Sequence, residues 1–60
     1  MKDFFEFGDE LARTYRVLDA EQAEIQNHVD IKEWQKQGLI TTAEANELHI
    51  LNFKLARTHR

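Results

Sequence analysis

From Phe4 to Val29 the apolar residues fall at intervals that keep one face of a helix. Phe4, Phe7, Leu11, Tyr15 and Leu18 are three or four residues apart, and Ile25 and Val29 follow in phase after a polar slot at Gln22. Steps of three, four and seven mark an amphipathic helix. No glycine or proline lies between Asp9 and Gln37, so the pattern predicts a long first arm over about 3–37. Asp3 with Glu6, or Asp9 after Gly8, can cap its start. Asp19-Ala20-Glu21-Gln22 also reads as a capping box, which would break the arm near 19. Because the stripe stays in phase across Asp19, the expectation is one continuous or kinked helix.

The segment Gln37-Gly38-Leu39-Ile40-Thr41-Thr42-Ala43-Glu44 stops one helix and starts another. Gly38 can take the left-handed conformation that ends a helix. Thr41 and Glu44, three apart, form a capping box, and Ile40 can staple onto Ala45 one turn in. A second helix over about 42–58 follows. The fold class is all-α: a helical hairpin making one domain, residues 1–60.

The second arm is apolar on two sides. Ala45, Leu48, Leu51 and Leu55 share one face, and Ile50 and Phe53 project from nearly the opposite side. The long arm has a second patch of its own in Ala20, Ala23, Ile31 and Trp34. Helices with two apolar faces need a third helix or another copy of the hairpin. The pattern therefore predicts self-association into a helical bundle, with a dimer favoured. Phe4, Phe5 and Phe7 cannot all lie on one helical face. Phe4 and Phe7 fit the seam with Leu11, which leaves Phe5 for a partner. Trp34 lies off the main stripe, either as core against the second arm or as an anchor for a partner. Aromatic side chains dominate interface energetics, so Phe5, Trp34, Ile50 and Phe53 are the candidate interface residues.

Size points the same way. A chain of 60 residues buries only about 60% of its unfolded surface. Domains this small usually add a disulfide, a metal or a partner subunit. There is no cysteine, which leaves no disulfide and no thiolate metal site, and fits a reducing, cytoplasmic setting. The apolar runs are far too short to span a membrane. Met1-Lys2-Asp3-Phe4-Phe5-Glu6 mixes acids with aromatics and does not read as a signal peptide.

Charge and chemistry narrow the function classes. The net charge is -3, with five Lys/Arg against nine Asp/Glu in residues 1–40 and three against two in residues 41–60. The chain holds no serine or cysteine nucleophile and no glycine-rich phosphate loop, so neither an enzyme nor a cofactor is expected. His28, His49 and His59 are far apart in the sequence and lack metal-ligand spacing, so no metal is expected either.

Two segments resemble known families. Ile31-Lys32-Glu33-Trp34-Gln35-Lys36-Gln37-Gly38-Leu39-Ile40-Thr41-Thr42-Ala43-Glu44, continued to about residue 57, resembles the SHOCT family of short C-terminal domains through Gly38, Leu39, Ile40, Thr41 and Glu44. That likeness implies a small helical module linked to oligomerisation or protein contacts, with no catalytic residues. Residues 40–60 resemble an excisionase or MerR-type helix-turn-helix. There the turn would fall at Leu51-Asn52, and Lys54, Arg57 and Arg60 would lie on a recognition helix. The alternative for the same segment is an uninterrupted helix whose basic last turns complement the helix dipole.

The expected function is a non-enzymatic protein–protein interaction module that self-associates and regulates or inhibits a larger partner. The alternative is a small DNA-binding transcriptional regulator using Lys54, Arg57 and Arg60, which the acidic balance disfavours.

Overall fold

The computed structural model describes residues 3–59. It contains three helices: α1 (Phe4–Val17), α2 (Ala20–Lys36) and α3 (Thr42–His59). All three pairs of helices pack on one another, giving a bundle of 30 × 18 × 15 Å.

The expected long arm is two helices, because the chain breaks at Leu18-Asp19. Leu18 is extended and its N–H closes the last turn of α1 on the Thr14 carbonyl at 2.9 Å. Asp19 is extended as well, and its carboxylate accepts from the Gln22 N–H at 3.0 Å. Each helix end therefore has its own hydrogen-bond partner, so the break leaves few orphaned backbone groups. Asp3 does the same for α1, accepting from the Glu6 N–H at 2.9 Å.

The break resets the helical phase. In α1 the buried face is Phe7, Leu11 and Tyr15, with Phe4 and Leu18 half-buried, as the stripe predicts. In α2 the buried face is Ala23, Asn27 and Ile31, and Ile25 and Val29 point outward. The patch of Ala20, Ala23, Ile31 and Trp34 is thus the inner face of α2. The apparent continuation of the stripe through Ile25 and Val29 belongs to the surface.

The turn between α2 and α3 matches its sequence. Gly38 has φ +78°. The Leu39 N–H reaches the Trp34 carbonyl at 2.9 Å and the Gly38 N–H the Gln35 carbonyl at 3.0 Å, the paired bonds of a Schellman cap. The capping box is reciprocal: the Glu44 N–H donates to Thr41 Oγ1 at 3.1 Å and the Thr41 N–H to Glu44 Oε1 at 2.9 Å. Ile40 and Ala45 are buried in the same cluster.

The core has two apolar clusters. The larger holds Phe7, Leu11, Ile31, Ile40, Ala45 and Leu48, with Phe4, Trp34, Leu51 and Leu55 against it. The smaller holds Tyr15, Ala23 and Ala56, with Leu18, Ala20 and Leu55 against it. The third helix created by the break packs beside Leu51 and Leu55, half-buried on the first apolar face of α3, and leaves Ile50 and Phe53 on the opposite side exposed. Gly8 allows the close approach of α1 to α3: a Cβ there would stand 3.3 Å from Leu51 Cδ2.

Candidate interaction surface

Two buried asparagines and a tyrosine tie the three helices together. The Tyr15 hydroxyl donates to Asn52 Oδ1 at 2.7 Å. Asn27 Nδ2 donates to the same oxygen at 3.1 Å and to the Leu11 carbonyl at 3.0 Å. Asn52 Nδ2 donates to the Glu24 carbonyl at 3.0 Å. Asn27 Oδ1 is buried without a hydrogen-bond partner among the described residues. Turning the amide over would set that oxygen against two acceptors, so the observed orientation is the favourable one. The sequence reading missed this network. Its only local sign is that each asparagine sits one turn from small or aliphatic neighbours, Ala23 and Ile31 or Leu48 and Ala56.

The outer surface is more apolar than the chain's charge suggests. Ile25 (62% exposed) and Val29 (54%) on α2 flank a groove with Phe53 (59%) on α3. His28, His49, Glu24 and Asn52 complete its lining. Ile50 (54% exposed) lies three residues before Phe53 on the same helix, and residues at that spacing are surface neighbours. At about 260 Å³ the groove is smaller than the roughly 300–1,000 Å³ of most small-molecule sites. Its size and apolar lining suit side chains of another helix. A second groove runs between α1 and α3, lined by Phe4, Phe5, Gly8, Ala12, Leu51 and Leu55 among others.

Of the expected interface residues, Phe5 is 78% exposed and meets Phe4 edge-on, with ring centroids 6.2 Å apart. Ile50 and Phe53 are exposed on α3. Trp34 differs: it is half-buried, with its ring 4.6 Å from that of Phe7, so its main contact is within the chain. The four are not one patch. Phe5 borders the α1–α3 groove, Phe53 the α2–α3 groove, and Ile50 the strip of α3 between them, beside Lys54.

His28 and His49, 21 positions apart in sequence, come together with ring centroids 4.8 Å apart and planes inclined at 44°. Burial first, then the neighbouring His28 and the Lys32 ammonium, hold the pKa of His49 below its ordinary value. His59 instead stacks on Tyr15 at 5.2 Å. Among the described residues no group of three or more His, Asp or Glu is placed to hold a metal ion.

Lys54 and Arg57 are exposed on α3, and Arg60 lies outside the described residues. Helix α3 runs unbroken through Leu51 and Asn52, where a helix-turn-helix would turn. Among the described residues no helix is long and apolar enough to cross a membrane.

Compared with known proteins, the chain matches no family model, no curated protein and no solved structure.

Proposed function

We propose that this chain is a non-enzymatic helical interaction module that self-associates through the α2–α3 face and regulates a larger protein partner. One observation carries the reading: Ile25, Val29 and Phe53, three large apolar side chains lining one groove between neighbouring helices, are each more than half exposed. Contiguous exposed apolar surface on a small domain marks an interaction site. The occupant favoured here is a second copy. Glu24 and Lys32 lie one turn before and one turn after His28 on α2. A two-fold axis near His28 sets Glu24 of one copy towards Lys32 of the other, so the face is complementary to itself. The groove beside Phe5 then stays open for the larger partner.

The test is sedimentation of the untagged chain from about 1 to about 100 micromolar, where mass action shifts the equilibrium of a weak dimer. The reading expects dimer at the upper end and monomer for Phe53→Glu. A monomeric wild type throughout that range refutes self-association. The DNA-binding alternative is addressed by titration with random duplex at low salt. Tight binding that weakens steeply with salt and is lost in the Lys54→Ala, Arg57→Ala variant would replace this reading.

A further inference from the structure

The paired imidazoles on the α2–α3 face have no role in the packing described so far. His28 is exposed and His49 half-buried. Neither ring is hydrogen-bonded to another described residue, so their nitrogens keep lone pairs for a ligand. We propose that His28 and His49 are half of a divalent transition-metal site, completed by the same two residues of a second copy, so that zinc is held by four imidazoles at the two-fold axis of the dimer. This rests on self-association through the α2–α3 face.

The geometry of the pair fits. Zinc bonds imidazole nitrogen at about 2.0–2.1 Å and prefers a tetrahedron. Two rings on one zinc then have centroids roughly 5 Å apart, against 4.8 Å in the structure. The rings come from facing helices, as bundle metal sites require, and their backbones are fixed by the core. Two imidazoles alone leave a tetrahedral ion half-coordinated, and among the described residues of the same chain no third ligand joins them. The pair sits between Ile25 and Val29 on one helix and Phe53 on the other, in the middle of the proposed contact. Groups near a two-fold axis meet their own copies, so pairing two chains there brings four imidazoles together.

The Lys32 ammonium opposes a cation here, and the Glu24 carboxylate, which lines the same groove, offsets it. Imidazole ligands suit zinc, copper and nickel, whereas calcium and magnesium prefer oxygen.

The experiment is sedimentation of the untagged wild-type chain with zinc chloride or magnesium chloride, alongside calorimetric zinc titration and the variants His28→Ala and Phe53→Glu. The expected result is one zinc per dimer and a dimer dissociation constant roughly tenfold or more lower with zinc. Magnesium should do nothing, and His28→Ala should lose the zinc effect while folding normally, since that side chain is exposed. A wild type that dimerises through this face, as judged by a monomeric Phe53→Glu, but ignores zinc overturns the metal site and leaves the interaction reading intact. One zinc per chain with no change in mass also overturns it. A chain monomeric with and without zinc overturns both.

Discussion

The Tyr15 hydroxyl and Asn52 Oδ1, 37 residues apart in the chain, are joined by a 2.7 Å hydrogen bond inside the bundle. The bond links α1 to α3. Asn27 brings in α2 by donating to the same oxygen. One carboxamide oxygen thus holds the registers of three helices, and the network lies beside cores made of shape-tolerant aliphatic contacts. Leaving a buried donor without its acceptor costs about 1–3 kcal/mol. Asn52→Ala strands one Asn27 N–H and leaves the Tyr15 hydroxyl its 3.1 Å bond to the backbone carbonyl of residue 52, so it is expected to destabilise by roughly 2 kcal/mol. Tyr15→Phe should cost less, and the double variant less than the sum. Urea melts of the three variants measure this; strict additivity would show that the two side chains act independently.

Gly38 ends α2 at φ +78°, with open space around an added Cβ. The penalty for a side chain there is thus one of backbone conformation and not of crowding. Gly38→Val should cost roughly 1 kcal/mol or more, and Gly38→Asn less, because asparagine tolerates the left-handed region. Equal melting temperatures for wild type and Gly38→Val would contradict the cap.

Phe5 and Phe7 are two residues apart and should behave in opposite ways. Phe7 is 3% exposed and packs on Trp34, so Phe7→Ala should lose roughly 3–5 kcal/mol as a core truncation. Phe5 is exposed, and Phe5→Ala should leave chain stability within about 0.5 kcal/mol of wild type. Chemical denaturation below the dimerisation range compares them; similar losses would mean that Phe5 is buried in solution.

His49 sets a pH dependence. Its pKa is lowered from the ordinary 6.5, first by burial and then by His28 and Lys32. The unfolded chain therefore takes up this proton more readily than the folded one, and stability rises with pH while only the unfolded form is protonated. The contribution is complete above about pH 6.5 and is lost as pH falls through the lower folded-state value. Melts of wild type and His49→Gln across pH 5 to 8 should differ in slope on the acid side of that window. Parallel curves would show that His49 titrates as in the unfolded chain.

What the sequence determined by itself is local. The cap at Gly38, the box of Thr41 with Glu44, the bounds of α3 and the inner stripe of α1 each depend on residues within a few positions of one another, and all stand in the structure. The break at Leu18-Asp19 was legible only as an alternative. Two capped helices and one kinked helix share the same period, and the choice turns on whether α1 and α2 gain more by packing separately on α3. Tertiary structure made that choice, and with it the inner face of α2 became Ala23, Asn27 and Ile31 while Ile25 and Val29 turned outward. It also decided that Trp34 packs on Phe7, that Asn27 and Asn52 are core residues, and that His28 meets His49. Burial of a polar group depends on partners that distance in sequence conceals: Asn52 finds Asn27, Glu24 and Tyr15 at separations of 25, 28 and 37 residues. Only the crossing of the helices brings such groups within hydrogen-bond reach.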